Sequence, residues 1–293
     1  MENSATAAHF TEQWGPREDF KSFLTANPEA LKVNPNQQLP WRDLLARIRT
    51  EAAARDVSLY EGGCGWGDLL HEISAAPVPA HLSYTGADIQ KNVLNFELPP
   101  FAKVLLWDIT QPLPGDRTFD FIVCRSVIHH TPDPAATFRV FCEQLKPGGT
   151  IAVSAYARKT PMREAIDDAM RTAIVPINYE EALALANQFT RLGRDLQACP
   201  GTIVITQDLP FLDIKAGTYK VQAFIYNHFI KCWHNELYPE SKCDHVNCDW
   251  YHPPYAYRYT PEDLRQWAAD NGLSTVREAS TEAQHYLECI KPA

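Results

Sequence analysis

The sequence lacks the features by which a chain usually engages nucleic acids or membranes. It has no run of lysine or arginine, and its formal net charge is -9 at pH 7. Because nucleic-acid binding draws much of its affinity from cations that displace phosphate counterions, DNA and RNA are not expected partners. No stretch approaches the roughly 20 apolar residues that cross a bilayer. The N-terminus also lacks the basic start and apolar run of a signal peptide. We expect a cytoplasmic protein with no membrane contact.

The cysteines do not form the pattern of a disulfide scaffold or of a zinc site. Eight cysteines are spread over 293 residues, and no Cys-x-x-Cys pair is present. Cys124, Cys142 and Cys289 lie inside apolar runs, where a buried reduced thiol is typical. The cysteines and histidines between Cys232 and His252 could be grouped around a metal, but their spacings match no common structural class. No metal is therefore predicted.

Short apolar segments alternate with helical ones over the first half of the chain. Hydrophobic residues make up 45% of the sequence and charged residues 22%, which is typical of a folded globular protein. Strands that alternate with helices predict a parallel, doubly wound α/β sheet. The expected fold is a Rossmann-like sheet of seven strands, at residues 57–60, 82–87, 103–107, 119–124, 150–155, 274–278 and 285–290.

The alternation breaks after residue 155. An interruption of about 100 residues is too long for a plain loop, so we expect a mostly helical inserted cap between the fifth strand and the last core helix. Thr260 is the predicted N-cap of that core helix, and Pro261 lies in its first turn. The domains expected are an N-terminal lid or arm (1–40), a cofactor-binding core (41–156), the cap (157–258) and a segment that completes the core (259–293).

A glycine-rich turn follows the first predicted strand. Residues 59–67 read Leu-Tyr-Glu-Gly-Gly-Cys-Gly-Trp-Gly, and glycines at a strand-to-helix junction let the backbone approach a ligand closely. Glu61 stands before these glycines. Asp88 closes the next strand, where an acid can hydrogen-bond a ribose diol, and Asp108 closes the third, where it can face an adenine edge. The three acids are expected at the carboxyl ends of adjacent strands, which form the ligand crevice of an open α/β sheet.

In this region the sequence resembles the class I S-adenosylmethionine-dependent methyltransferases of the small-molecule type. The family's acidic-x-Gly-x-Gly-x-Gly pattern is met at 61–67, and its second and third acids at 86–89 and 107–109. The segment 119–130 is similar to the family's fourth-strand motif, and 145–149 to the turn before the fifth strand. The resemblance covers 57–156 strongly and 259–290 more loosely.

The resemblance implies S-adenosylmethionine as the cofactor. The N-terminal segment with Phe10, Gln13 and Trp14 either folds over the cofactor as a lid or forms a plain surface arm. The resemblance assigns ten residues to the cofactor, and the possible lid adds Trp14. The ten are Glu61, Gly62, Gly63, Gly65, Gly67, Asp88, Ile89, Asp108, Ile109 and Arg125.

A nicotinamide-binding Rossmann enzyme is the main alternative for the glycine-rich turn. Its Gly-x-Gly-x-x-Gly fingerprint occurs only in an offset reading from Gly62 to Gly67, with Cys64 at the second glycine position. An acid directly before the glycines suits a cofactor that has a free amino group and no pyrophosphate. The sequence therefore favours adenosylmethionine.

The sulfonium of that cofactor already activates the methyl group, so the protein must hold a nucleophile in line with it and exclude water. A hydroxyl or ammonium acceptor also needs a base. His129 is the candidate because it follows the fourth strand. The alternative is that His129 or His130 caps the loop or hydrogen-bonds the backbone.

Aromatic residues are dense within 157–258, as in pockets for small organic molecules. The alternative is that most of them form the insertion's own core. We expect the acceptor between the carboxyl edge of the sheet and the insertion. The residues assigned to it are His130, Tyr156, Tyr226, Trp233, Trp250, Tyr251 and Tyr255.

The function expected from these features is methyl transfer to an oxygen or nitrogen of a small molecule in a biosynthetic or tailoring pathway. One alternative is a methyltransferase acting on RNA or protein, against which the net acidity argues. Another is a protein that binds adenosylmethionine without methyl transfer, such as a lyase or pericyclase of the same fold. The sequence leaves the acceptor and the oligomeric state open.

Overall fold

The computed structural model describes residues 3–13, 39–95 and 97–293. These residues form two compact units. The sheet unit consists of 3–13, 39–95, 97–157 and Tyr257–Ala293, and the insertion unit is Arg158–Ala256. In the described ranges, no helix is long and apolar enough to cross a membrane.

Seven strands of the sheet unit form one sheet, which confirms the predicted α/β fold. The strands of the chain are β1 (Val57–Gly62), β2 (Leu82–Asp88), β3 (Ala102–Leu106), β4 (Phe119–Cys124), β5 (Leu145–Tyr156), β6 (Thr202–Ile205), β7 (Gly217–Lys220), β8 (Ser274–Ser280) and β9 (Gln284–Ile290). The order in the sheet is β3-β2-β1-β4-β5-β9-β8, with β9 antiparallel to both of its neighbours. The strand order reverses at β1, so β1 and β4 flank the switch point at which such sheets bind ligands.

Helices flank the sheet and fill most of the insertion unit. In the sheet unit they are α1 (Ser4–Gln13), α2 (Trp41–Ala52), α3 (Asp68–Ser74), α4 (Pro134–Glu143) and α9 (Pro261–Asp270). In the insertion unit they are α5 (Pro161–Ile174), α6 (Tyr179–Gln197), α7 (Val221–His228) and α8 (Glu240–Tyr251). Short 3-10 turns cover Lys91–Asn95, Ile128–His130 and Pro210–Leu212.

Two hydrophobic clusters lie on opposite faces of the sheet. Leu59 and Tyr60 are adjacent on β1 and therefore point to opposite faces. The Tyr60 ring packs on Phe141 of α4 in one cluster, to which α9 also contributes, whereas Leu59 belongs to the cluster that contains Ile48 of α2. All six residues of β4 are buried, as expected for a central strand covered on both sides.

The predicted N-cap of the last core helix is confirmed, and two helices of the insertion unit are also capped by side chains. Thr260 and Asp263 make a complete capping box at the start of α9. In the insertion unit, the side chain of Thr160 accepts a hydrogen bond from the backbone of Arg163, and Asn178 caps α6 in the same way. The helix α8 and the β6–β7 hairpin were not predicted.

Three predicted element boundaries are wrong. The turn expected at 145–149 is the start of β5. A register shift between the pairs Phe119–Leu145 and Phe121–Thr150 forms a bulge, which accommodates Gly148 at φ +75°. The sequence pattern also predicts a helix at 219–232, but the helix is limited to α7, because the residues before it pair with β6. The segment 90–97 is likewise predicted as a short α-helix, and its described residues instead form the 3-10 turn at Lys91–Asn95.

Candidate functional site

The glycine-rich turn after β1 has a backbone that only glycine adopts readily. Gly63, Gly65 and Gly67 have φ values of +76°, +51° and +76°. A Cβ on Gly63 would lie 2.5 Å from Val127 Cγ1, so this glycine is also required for packing. A Cβ on Gly65 would meet no atom within 4 Å, so the backbone here borders open space. The turn can therefore admit a ligand next to its main chain.

The structure brings the three predicted acids to the carboxyl ends of adjacent strands. Glu61 lies in the last part of β1, beside Gly86 of β2. Asp88 ends β2 and pairs with Leu106 of β3, and Asp108 follows β3 by two residues. This row of carboxylates lies at one edge of the sheet, where the expected ligand crevice opens.

Two of the acids are fixed by backbone donors. Asp88 accepts hydrogen bonds from the backbone nitrogens of Gly65 (2.8 Å) and Gln90 (3.0 Å). Asp108 accepts from the backbone nitrogen and hydroxyl of Thr110 at 3.0 and 2.8 Å. Burial raises the pKa of Asp88, and the backbone donors oppose that shift. The residues after the acids differ in exposure, since Ile109 is buried and Ile89 is half-buried.

Glu61 is the most strongly perturbed of the three acids. Its side chain is buried, the Tyr84 hydroxyl donates to Oε2, and Arg125 Nε lies 3.9 Å from Oε1. Arg125 also donates to Glu72 Oε1 at 3.0 Å. Burial raises the pKa of Glu61 to about 8, although Arg125 and Tyr84 act in the opposite direction. The carboxyl is therefore largely protonated near neutral pH, as long as no cation approaches it.

The helix α1 lies along this same edge of the sheet. Asn3 Nδ2 donates to Asp108 Oδ2 at 2.6 Å, and Thr11 bonds to the turn after β2 through Lys91 and Asn92, both at 3.3 Å. The Phe10 ring packs edge-on against His130 at 5.2 Å. Residues 3–13 therefore adjoin the ends of β2, β3 and β4. Trp14, which was assigned to the cofactor, lies outside the described residues.

Several buried oxygens at this edge have no hydrogen-bond partner within the described ranges. They are Asn3 Oδ1, Thr6 Oγ1 and Gln90 Oε1. Gln90 is tied to the glycine-rich turn through its Nε2, which donates to the Gly65 carbonyl at 2.9 Å. Buried polar atoms are nearly always hydrogen-bonded, so a group of orphaned acceptors indicates a ligand that brings donors. Ribose hydroxyls and amino groups are such donors, and the residues present fit a nucleoside cofactor.

His129 lies in the turn after β4 and is fully buried. Its ring stacks on Tyr156, with centroids 3.7 Å apart and planes tilted by 32°, and the ring of His130 lies 4.2 Å away. Neither ring nitrogen of His129 has a hydrogen-bond partner among the described residues. Burial lowers the pKa of His129 well below its ordinary 6.5, and His130 adds to that effect. The imidazole is therefore neutral and has an unused lone pair.

The backbone holds this histidine turn in a fixed conformation. Ser126 has φ +58°, which is uncommon for a residue other than glycine, and its backbone nitrogen donates to Ser154 Oγ at 3.0 Å. The His129 carbonyl accepts from the Tyr257 backbone nitrogen at 3.0 Å. The alternative in which the His129 ring bonds the backbone is not observed in the described part of the chain.

Three of the aromatic residues assigned to the acceptor meet in the insertion unit. Asp167 of α5 accepts hydrogen bonds from Trp250 Nε1 at 2.8 Å and the Tyr251 hydroxyl at 2.9 Å. Arg163 donates to Asp167 at 2.6 Å, and its guanidinium carbon lies 5.1 Å from the centroid of the Tyr226 ring. Both members of this ion pair are fully buried.

The other four residues assigned to the acceptor are divided between the two units. The Trp233 ring packs against Tyr238, and the backbone nitrogen of Trp233 donates to Asn247 Oδ1 at 2.8 Å. Tyr255 is half-buried in the insertion unit. His130 and Tyr156 belong to the sheet unit, beside His129.

Sequence reasoning missed the buried polar residues Arg163, Asp167, Asn3 and Thr6. The spacing of four between Arg163 and Asp167 was the available signal, but this spacing is typical of exposed helix pairs. The described residues contain no group of three or more His, Cys, Asp or Glu side chains that could hold a metal ion.

Comparison with known proteins identifies one family. A family model described as a methyltransferase domain matches residues 34–197, which is more than half of the chain. Phosphoethanolamine N-methyltransferase 1 of Arabidopsis thaliana is 34% identical over 110 residues, covering 35% of this chain and 21% of the relative. A ubiquinone biosynthesis O-methyltransferase of Thiobacillus denitrificans is 27% identical over 169 residues, covering 53% and 64%. The matched segments thus span less than two thirds of either relative.

Among solved structures, the N-methyltransferase NodS from Bradyrhizobium japonicum aligns over 99% of this chain and 100% of its own. The sequence identity is 12% and the TM-score 0.47. The assignment of the fold therefore rests on the strand order of this chain's own sheet.

Proposed function

Because the chain belongs to the methyltransferase domain family, whose cofactor is S-adenosylmethionine, we propose that it transfers a methyl group to an oxygen or nitrogen of a small-molecule acceptor. The curated relatives quoted above include an N-methyltransferase and an O-methyltransferase, which supports both acceptor atoms. The net charge of -9 argues against a nucleic-acid acceptor. A biosynthetic or tailoring role is part of this proposal.

The observation that carries the proposal is the row of three acids beside orphaned acceptors. In the proposal Asp88 and Asp108 hold the ribose and the adenine, and Glu61 receives the amino group. The backbone of Gly62, Gly63, Gly65 and Gly67 lies against the cofactor, with Ile89 and Ile109 beside the acids. Arg125 positions Glu61. The bound cofactor supplies a methyl group already activated by the sulfonium.

His129 is the proposed base. A neutral imidazole with an unused lone pair can accept the proton that a hydroxyl or ammonium acceptor loses. The neighbouring rings of Tyr156 and His130 hold the imidazole in place and exclude water from it. His129→Asn is expected to lower kcat by about a hundredfold, while the affinity for adenosylmethionine stays unchanged. A variant with unchanged kcat would show that positioning alone suffices.

Calorimetric titration tests the cofactor assignment. The purified chain is expected to bind S-adenosylmethionine and S-adenosylhomocysteine, and not NAD. Asp88→Ala should abolish this binding, because it removes a carboxylate that is anchored to the glycine-rich turn. Asp270→Ala, which changes an exposed aspartate at the end of α9, is the matched control. Tight NAD binding, or full binding by the Asp88 variant, would refute the assignment.

We also propose a cytoplasmic location. All eight cysteines are free, and seven of them are buried. Free thiols are typical of proteins in a reducing compartment.

A further inference from the structure

The insertion unit contains a largely buried lysine whose side-chain nitrogen forms no hydrogen bond or ion pair among the described residues. The Lys231 residue is 6% exposed, and its Nζ lies 4.6 Å from the centroid of the Trp250 ring. Its backbone nitrogen donates to Asp167 (3.4 Å) and its carbonyl accepts from the Tyr251 hydroxyl (3.1 Å), so the main chain is held in place. In the described part of the chain, no hydrogen bond or ion pair reaches Nζ.

Two further polar side chains near this ammonium are incompletely bonded. Arg163 uses Nε for Asp167 and Nη1 for the Tyr226 carbonyl, but Nη2 has no partner among the described residues. His228 is 8% exposed, and neither of its ring nitrogens has a partner there. Arg163 and Lys231 lie over the same Trp250 ring, with Cζ at 5.4 Å and Nζ at 4.6 Å from its centroid, and the charge of Arg163 acts on His228. We call Lys231, Arg163 and His228 the basic cluster.

A purely structural role would leave these groups satisfied. Asp167 already accepts from Arg163, Trp250 and Tyr251, and none of its bonds goes to the Lys231 ammonium. Leaving a buried polar group unsatisfied is destabilising, so an unpartnered Arg163 Nη2 and an unpartnered His228 ring near Lys231 are not expected from stability alone.

The unused donors of the basic cluster define what would satisfy it. Lys231, Arg163 Nη2 and the His228 ring can all donate hydrogen bonds, so the missing partner is an acceptor. A carboxylate supplies two acceptor oxygens on one group and forms strong hydrogen bonds with guanidinium and ammonium donors. The rings of Trp250 and Tyr226 provide apolar surface beside Lys231 and Arg163, which suits the body of an organic acid better than an inorganic anion.

We propose that the basic cluster binds the carboxylate group of an organic acid, with Lys231 as its main charge partner. Arg163 Nη2 and His228 supply additional hydrogen bonds. This binding site lies within the insertion unit and is separate from the cofactor site proposed above.

Proton linkage follows from this arrangement. Burial lowers the pKa of Lys231 to about 7, with Arg163 and Lys159 adding to the shift and Asp249 and Asp167 opposing it. A bound carboxylate favours the ammonium form, so it raises that pKa and takes up a proton. Between pH 6 and pH 8 the protonated fraction of free Lys231 falls about tenfold, and carboxylate affinity should fall by the same factor.

The test is a calorimetric titration of the full chain, without cofactor, with benzoate at pH 6 and pH 8. A fragment of this size is expected to bind at roughly millimolar affinity. Benzamide, its neutral analogue, should not bind, and inorganic phosphate should bind more weakly than benzoate. Lys231→Met should abolish benzoate binding, whereas Lys215→Met, which changes an exposed lysine, should leave it unchanged. Absence of benzoate binding, or preference for phosphate, would overturn the proposal.

Thermal unfolding distinguishes a binding lysine from a structural one. Methionine has a similar length and no charge, so Lys231→Met should keep or raise the Tm if the ammonium is unpaired in the free protein. A clear fall in Tm would mark Lys231 as structural and overturn the proposal. Titration of the same samples with adenosylmethionine separates the two levels. Cofactor binding without benzoate binding refutes only this inference, and the reverse refutes only the cofactor assignment.

Discussion

If Glu61 receives the amino group of the cofactor, binding should release a proton. Burial holds the pKa of Glu61 at about 8 in the free protein. At pH 7 roughly nine tenths of the molecules therefore carry a proton on this carboxyl, about half do at pH 8, and about one tenth at pH 9. A ligand ammonium favours the ionised carboxylate, so the number of protons released on binding should follow the same series.

The assay is calorimetry with S-adenosylmethionine in two buffers that differ in ionisation enthalpy. The difference between the observed enthalpies divided by the difference between the buffers gives the number of protons released. Glu61→Gln keeps the shape of the side chain but cannot titrate, so it should bind more weakly and release no proton from this site. Glu143→Gln changes an exposed glutamate at the end of α4 and should behave as wild type.

Unfolding of the cofactor-free protein gives a second readout. The folded pKa of Glu61 lies above its ordinary 4.5, so its protonated form stabilises the fold below about pH 4.5. This contribution is lost as pH rises through 8, with a slope of up to ~1.4 kcal/mol per pH unit. The free energy of unfolding of wild type should therefore fall relative to that of Glu61→Gln as the pH rises from 5 to 8. Two results together would refute the reasoning. One is a binding enthalpy at pH 7 that does not depend on the buffer, and the other is a pH profile of stability that runs parallel for wild type and Glu61→Gln.

Two further predictions concern the framework of each unit. Gly193→Ala would place a Cβ 2.2 Å from the Cys232 carbonyl oxygen, so it should lower the free energy of unfolding by about 1–3 kcal/mol in a denaturant titration. Gly201→Ala, which meets no atom within 4 Å, is the control, and a stabilised Gly193 variant would contradict the packing of α6. Although burial alone would raise the pKa of Asp120, hydrogen bonds, chiefly from Lys146, hold it well below 3.8. Its contribution is present above about pH 4 and lost at lower pH, so the stability deficit of Asp120→Asn at pH 7 should shrink below pH 4, and a constant deficit would contradict this.

The sheet and the acids of the site were predictable because local signals set both. β1 and β4 are short apolar runs bounded by turns, and strand alternation fixes a parallel sheet. Once the strands are parallel, acids that follow them must meet at one edge. This is why the positions of Glu61, Asp88 and Asp108 could be expected without coordinates.

The features that sequence missed depend on distant partners. The last two residues of β7, Tyr219 and Lys220, were predicted as helix, and pairing with Thr202–Ile205 makes them strand. The start of β5 contains Pro147, Gly148 and Gly149, which are turn residues, and only a bulge opposite β4 allows them in a strand. The burial of Arg163 likewise depends on residues more than sixty positions away.

The unpartnered groups of the sheet unit are acceptors, whereas those of the insertion unit are donors. This difference supports two distinct ligands. In the sheet unit Asn3, Thr6 and Gln90 present unused oxygens, which suit a cofactor rich in hydroxyl and amino donors. In the insertion unit Arg163, His228 and Lys231 present unused donors, which suit an acid. Each set destabilises its unit until it is bound, so each ligand alone should raise the Tm. Adenosylmethionine should therefore stabilise Lys231→Met as much as wild type, while benzoate should stabilise wild type only.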